Sequence, residues 1–189
     1  RVITVSAKPY QIQDDDICLV AYPKSGNNFI LFLVATLLYR KKMDWATKGD
    51  MIQNVAEEPV ENLPFPHLVW SHESYDATYP KVIYMVRDPR DIVISYYYYH
   101  VKYYGESSGF DMFFEQFIQG NVWPGRWDAN VESWLINQEK IKNGFLLVKY
   151  EDLLHNTSKE ARRILSFLNL DRTEKEINEA IHWASFDNM

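Results

Sequence analysis

Ile17-Cys18-Leu19-Val20-Ala21-Tyr22 is an unbroken apolar run that stops at Pro23-Lys24-Ser25-Gly26, and behind it Phe29 to Arg40 is apolar nearly all round. A short apolar run bounded by breakers reads as a strand buried on both faces. A helix that is apolar all round must be buried as well. A both-faces-buried strand feeding a buried helix through a tight loop is the opening of a parallel α/β unit. Asn27 and Asn28 offer N-cap chemistry, and Arg40, Lys41 and Lys42 close the helix.

The rest of the chain repeats the alternation. Residues 43–66 are polar and acidic with weak periodicity, and read as helix fragments and surface loop. His67 to Ser71 and Lys81 to Val86 read as strands, and Asp88-Pro89 starts a helix running towards His100. Phe110 to Gln119 is a short aromatic helix ended by Gly120. Trp127 to Lys142 reads as one helix, Phe145 to Tyr150 as a fourth strand, and Ser158 to Leu168 and Thr173 to Trp183 as amphipathic helices. Thr173 with Glu176 matches a capping box. Strands alternating with helices predict one α/β domain over residues 1–189 with a parallel sheet.

Two loops carry the chemistry. Lys24-Ser25-Gly26-Asn27-Asn28 lies where a helix begins, and the unpaired N–H groups and dipole there favour an anion. Gly26 allows close backbone approach. The same residues also suit a plain strand-to-helix turn. They do not form the nucleotide pattern G-x-x-x-x-G-K-[ST], because the lysine precedes Ser-Gly. In Val86-Arg87-Asp88-Pro89-Arg90-Asp91 to Ser95-Tyr96, Arg87 ends a strand and Ser95 lies two turns into the next helix. Ligands of open α/β sheets bind beyond the carboxyl ends of strands, and Arg there can fork onto phosphate. An ion pair of Arg87 with Asp88 or Asp91 is the plainer alternative. Two such loops facing one cleft would suit a nucleotide phosphorylated at both ends.

Composition trims the options. The net charge of −6 argues against a general nucleic-acid binder, though not against one anion in a local basic pocket. The single cysteine, Cys18, excludes an internal disulfide framework. No run of about 18 apolar residues predicts a membrane span. The aromatic share of 15% is high enough to build a core and still line a pocket for flat ligands.

With both loops in view, the chain resembles the sulfotransferases that use 3′-phosphoadenosine 5′-phosphosulfate (PAPS), particularly the cytosolic type. Tyr22-Pro23-Lys24-Ser25-Gly26 resembles that family's 5′-phosphosulfate loop, and Val86 to Tyr96 its 3′-phosphate motif. Phe114-Glu115-Gln116-Phe117, Gly120, Gly125 and Trp127 resemble its middle region, and Val148 to Leu153 and Ser185-Phe186 its adenine-contacting segments. The resemblance implies a P-loop-like three-layer domain with a central parallel sheet flanked by helices. It implies PAPS as co-substrate, released as 3′-phosphoadenosine 5′-phosphate (PAP), and no metal. Lys24 would bind the bridging oxygen and stabilise the leaving nucleotide. Ser25, Gly26, Asn27 and Asn28 would cradle the 5′-phosphate, and Arg87 and Ser95 would hold the 3′-phosphate. Phe29, Tyr150 and Phe186 would pack on or near adenine. His72 would be the catalytic base, a role in which a side chain titrating near neutrality is at home.

Departures are visible too. Asn27 and Asn28 stand where the family often has threonines, Phe29 where it commonly has Trp, and Trp70 where it frequently has a lysine two residues before the base. The family's basic closing segment and its dimerisation motif would lie beyond Met189. The acceptor expected is a small hydroxyl or amine compound, with phenols and other apolar alcohols favoured by the aromatic content and by Tyr96 to Tyr99, Tyr103 and Tyr104. No nucleic-acid or membrane partner is expected, a homodimer stays open, and the location expected is cytoplasmic. Two rivals remain: a P-loop nucleotide kinase or phosphotransferase, and a family relic that binds nucleotide without transfer.

Overall fold

A computed structural model describes residues 9–185. Five strands form one sheet: β1 (Ile17–Ala21), β2 (Gln53–Asn54), β3 (Leu68–Ser71), β4 (Lys81–Val86) and β5 (Phe145–Lys149). Their order is β2-β3-β1-β4-β5, and every neighbouring pair is parallel. β1 is central, which is why all five of its residues are buried. Its side chains alternate between two cores. Ile17, Leu19 and Ala21 join α1 (Asn27–Tyr39), α7 (Thr157–Leu168) and α8 (Glu174–Ala184) on one face. Cys18 and Val20 join Trp134 of α5 (Trp127–Leu135) on the other. The expected three-layer α/β domain with helices flanking a parallel sheet is the fold observed.

A third core, around Tyr22, Ile92, Tyr96 and Phe117, sits past the carboxyl end of β1. It packs α3 (Pro89–Tyr104) and α4 (Phe110–Gln119) over that end of the sheet. Asp88 caps α3 by accepting from the Arg90 N–H, with Pro89 in the first turn. The Thr173–Glu176 capping box forms on α8.

Four local expectations differ from the structure. The predicted helix 127–142 ends at Leu135 and gives way to a short 3-10 turn, Gln138–Lys140. Asn137 breaks it: its side chain donates to Ser133 O and accepts from Lys140 Nζ, a local alternative to the helical ladder. Tyr150 is the first residue of α6 (Tyr150–His155) and not the last of β5. Residues 43–66 contain the one-turn helix α2 (Lys48–Met51) and the edge strand β2, both too short to leave a period in the sequence. Asn27 and Asn28 do not cap α1. Gly26 holds the N-cap place at φ 97°, with no side-chain cap bond. The first N–H groups of α1 are thus left open towards whatever binds beyond them.

Candidate active site

β1 and β4 run side by side, with Ala21 opposite Met85, so the loops that follow them emerge together. Arg87 leaves β4 and donates from Nη1 to the Lys24 carbonyl at 3.0 Å. That bond fixes Lys24 in the left-handed region at φ 66°, where a non-glycine residue is strained. It also joins the two anion loops. Asp88 is occupied by Arg90, and Arg87 Nη2 makes a long 3.8 Å ion pair with the exposed Asp91, so the expected surface pairing is present in part while Arg87 also lines the cleft. The Tyr150 ring lies between the loops, with Arg87 stacked 4.3 Å from its centroid. Tyr150 also fills the space a Cβ on Gly26 would take, 2.5 Å from its Cε2.

The cleft so formed measures about 440 Å³, within the range of small-ligand sites. Lys24, Gly26, Asn27, Asn28, Phe29 and His72 line it, together with Arg87, Ser95 and Tyr150. Among the described residues no Asp or Glu lines it, although the whole chain is acidic. Ser25 is the one expected residue of the first loop that stays below the surface. It is fully buried, and its hydroxyl has no partner. Buried Arg87 Nε likewise has no partner among the protein groups, so the guanidinium retains donor capacity for an anion. Phe186 lies outside the described residues.

His72 follows β3 directly, and β3 pairs with β1, which brings the imidazole beside Ala21. Its Nδ1 donates to the Ala21 carbonyl at 2.6 Å. Nε2 therefore carries the lone pair, the tautomer a base requires. The Asn27 amide N lies 3.1 Å from Nδ1 and 3.5 Å from Nε2, and with Nδ1 protonated only Nε2 can accept from it. Trp70 and Trp123 stand edge-on at 5.1 and 5.5 Å between ring centroids. Burial pulls the His72 pKa down to about 4, the Ala21 bond opposes this, and Lys48 and Lys24 lower it further. His72 is consequently neutral at physiological pH. Burial also lowers the Lys24 pKa, and its ammonium rests 4.5 Å over the Tyr99 ring.

A cationic cleft at strand ends with a neutral histidine on its wall suits transfer of an anionic group to a hydroxyl. The family model of the sulfotransferase domain matches residues 14–189. The chain belongs to the sulfotransferase family.

Among similar family members, sulfotransferase 2A1 of Macaca fascicularis is 29% identical over 196 residues, covering 95% of this chain and 68% of that protein. The amine sulfotransferase of Oryctolagus cuniculus is 27% identical, covering 95% and 64%. Mouse sulfotransferase SULT7A1, solved in complex with PAP, matches in fold with a TM-score of 0.79 at 22% identity, over 95% of this chain and 66% of that one. The chain thus spans about two thirds of the length of these sulfotransferases.

Several residues of this sulfotransferase cleft escaped the sequence reading. Trp45, Lys48 and Trp123 line it, and among the tyrosines Tyr96, Tyr99 and Tyr104 do, whereas Tyr97, Tyr98 and Tyr103 do not. Asn130 of α5 is 2% exposed and holds His72 from behind. It donates to the His72 carbonyl at 3.2 Å and accepts from the buried Tyr84 hydroxyl at 2.8 Å. No motif marks Asn130, because its partners lie 58 and 46 residues away. The other four histidines do not line the cleft. His67, at the opposite end of β3, contacts Asp16 and Tyr10. No described helix is long and apolar enough to cross a membrane.

Proposed function

We propose that this chain transfers a sulfuryl group from PAPS to the hydroxyl or amine of a small acceptor, and that the whole of residues 1–189 acts as one domain. The single observation that supports this most is the union of Lys24, Arg87 and His72 in one cleft, with no carboxylate among its described lining residues. Arg87 and Ser95 hold the 3′-phosphate, and the open N–H groups at the start of α1, with Asn27 and Asn28, hold the 5′-phosphate. Phe29, Tyr150 and Phe186 form the adenine side.

In the transfer, His72 Nε2 takes the acceptor proton as the acceptor oxygen or nitrogen bonds to sulfur. The bond from sulfur to the bridging phosphate oxygen breaks, and the charge left on that oxygen falls to the Lys24 ammonium. Trp45, Trp70 and Trp123 give the acceptor side flat apolar walls, which favours phenols and other apolar alcohols. The rabbit relative is an amine sulfotransferase, so amines are the second class to assay.

The test is titration with PAP, then labelled PAPS against phenols, sterols, aliphatic alcohols, amines and sugars. Lys24→Ala and His72→Ala should each lower transfer by about 100-fold or more with the fold intact. Arg87→Ala should mainly weaken PAP binding. PAP binding without transfer to any acceptor would favour the relic. Magnesium-dependent ATP turnover would favour the phosphotransferase.

A further inference from the structure

Lys48 is a half-buried cation on α2, a single helical turn inside a stretch with no sequence pattern. Its ammonium donates to Asn28 Oδ1 at 2.9 Å and lies 5.2 Å from the Trp70 ring centroid and 5.4 Å from that of Trp45. Among the described residues it forms no ion pair with a carboxylate. An ammonium has three donors, and one is spent on Asn28. Burial lowers the Lys48 pKa and only the more distant Glu57 opposes this. A partly desolvated charge with no counter-ion in contact is costly, and such charges gather where an anion arrives.

The two cleft lysines approach from different sides. Lys24 follows β1 and leans on Tyr99 of α3, beyond β4. Lys48 precedes β2 and leans on Trp70 of β3. His72 stands where both charges act on it. Asn27 and Asn28, adjacent at the start of α1, contact His72 and Lys48 respectively. The acceptor oxygen and the group in transit must pass beside His72, so they pass beside Lys48.

We propose that Lys48 is a second catalytic cation of this cleft, contacting the sulfuryl oxygens during transfer while Lys24 serves the leaving oxygen. The role rests on the sulfuryl-transfer reading above. A cation of this kind acts chiefly on the transition state, so its loss lowers kcat more than donor affinity. Its charge also adds to the burial that keeps His72 neutral. The groups facing that ring are the Ala21 carbonyl of β1, Asn27 from α1, Trp70 from β3, Trp123 from the loop before α5, and the two charges, Lys48 and Lys24. Lys48→Met keeps most of the stem and removes the charge.

The experiment compares the wild type, Lys48→Met and Lys48→Arg. It uses PAP calorimetry, PAPS-to-2-naphthol and PAPS-to-amine transfer, and NMR titration of His72 in the absence of ligand. For Lys48→Met, kcat should fall about 100-fold, with PAP affinity within about threefold of wild type. The His72 pKa should rise, and Lys48→Arg should restore part of the rate. Retained PAP binding shows that the variant is folded. Unchanged kcat in Lys48→Met, a His72 titration that does not move, or a PAP affinity loss as large as the rate loss would each overturn the role. A wild type that binds PAP but transfers to neither acceptor, nor to any in the wider panel, overturns the transfer reading itself. Failure of Lys48 alone leaves the wild-type rate standing.

Discussion

Replacing Gly26 by alanine tests whether the two anion loops are one mechanical unit. Gly26 sits at φ 97°, and entering the left-handed region costs alanine roughly 1–2 kcal/mol. The new Cβ would fall 2.5 Å from Tyr150 Cε2 and 2.6 Å from Cδ2, so the ring must move. That ring also carries the Arg87 guanidinium, 4.3 Å from its centroid. Overpacking of this kind adds roughly 1–3 kcal/mol. The sum, about 2–5 kcal/mol, should lower Tm by at least about 4 °C in a domain of this size. Displacing Arg87 sacrifices a charge-assisted hydrogen bond worth about 1.5–3 kcal/mol, so PAP affinity should fall about 10- to 100-fold. Thermal unfolding and PAP calorimetry on Gly26→Ala, Tyr150→Ala and the double variant separate backbone strain from the clash. With the ring gone, only the backbone strain should remain, giving a coupling of about 1–3 kcal/mol. An equal penalty in both backgrounds would refute the ring contact as the link.

The remaining tests address His72 as the proposed base. Since kcat/KM for the donor reports the free enzyme, its acid limb should lie near pH 4, where His72 gains its proton, and not near the ordinary histidine value of 6.5. A limb at 6.5 would remove the claim that burial and the two lysines keep His72 neutral. The same shift affects stability. On acidification the unfolded chain protonates this histidine first, so its contribution to folding is full above about 6.5 and declines as pH falls towards about 4. Chemical denaturation across that window, with His72→Asn as reference, checks the sign. Asn130→Ala should cost about 2–4 kcal/mol, because it strands the buried Tyr84 hydroxyl and frees the His72 carbonyl. It should lower kcat with PAP affinity intact, and reduced PAP binding with unchanged kcat would contradict a positioning role.

What the sequence determined by itself is the frame. An apolar run ended by Pro-Lys-Ser-Gly, a buried helix behind it and a second strand ending at Arg87 are local patterns, and local patterns fix strands, helices and the loops between them. Because parallel strands share one direction, both anion loops had to leave the same edge of the sheet. Tertiary structure alone decided what surrounds them. Lys48 reaches Asn28 across 20 residues, Asn130 reaches His72 across 58, and Tyr150 packs on Gly26 from the far end of the chain. None of those contacts follows a period or a spacing. The tautomer of His72 was equally hidden, since it depends on the Ala21 carbonyl that strand pairing brings alongside. Helix and strand periods are written in neighbouring residues, whereas the charge and orientation of a reacting group are set by whatever the fold packs against it.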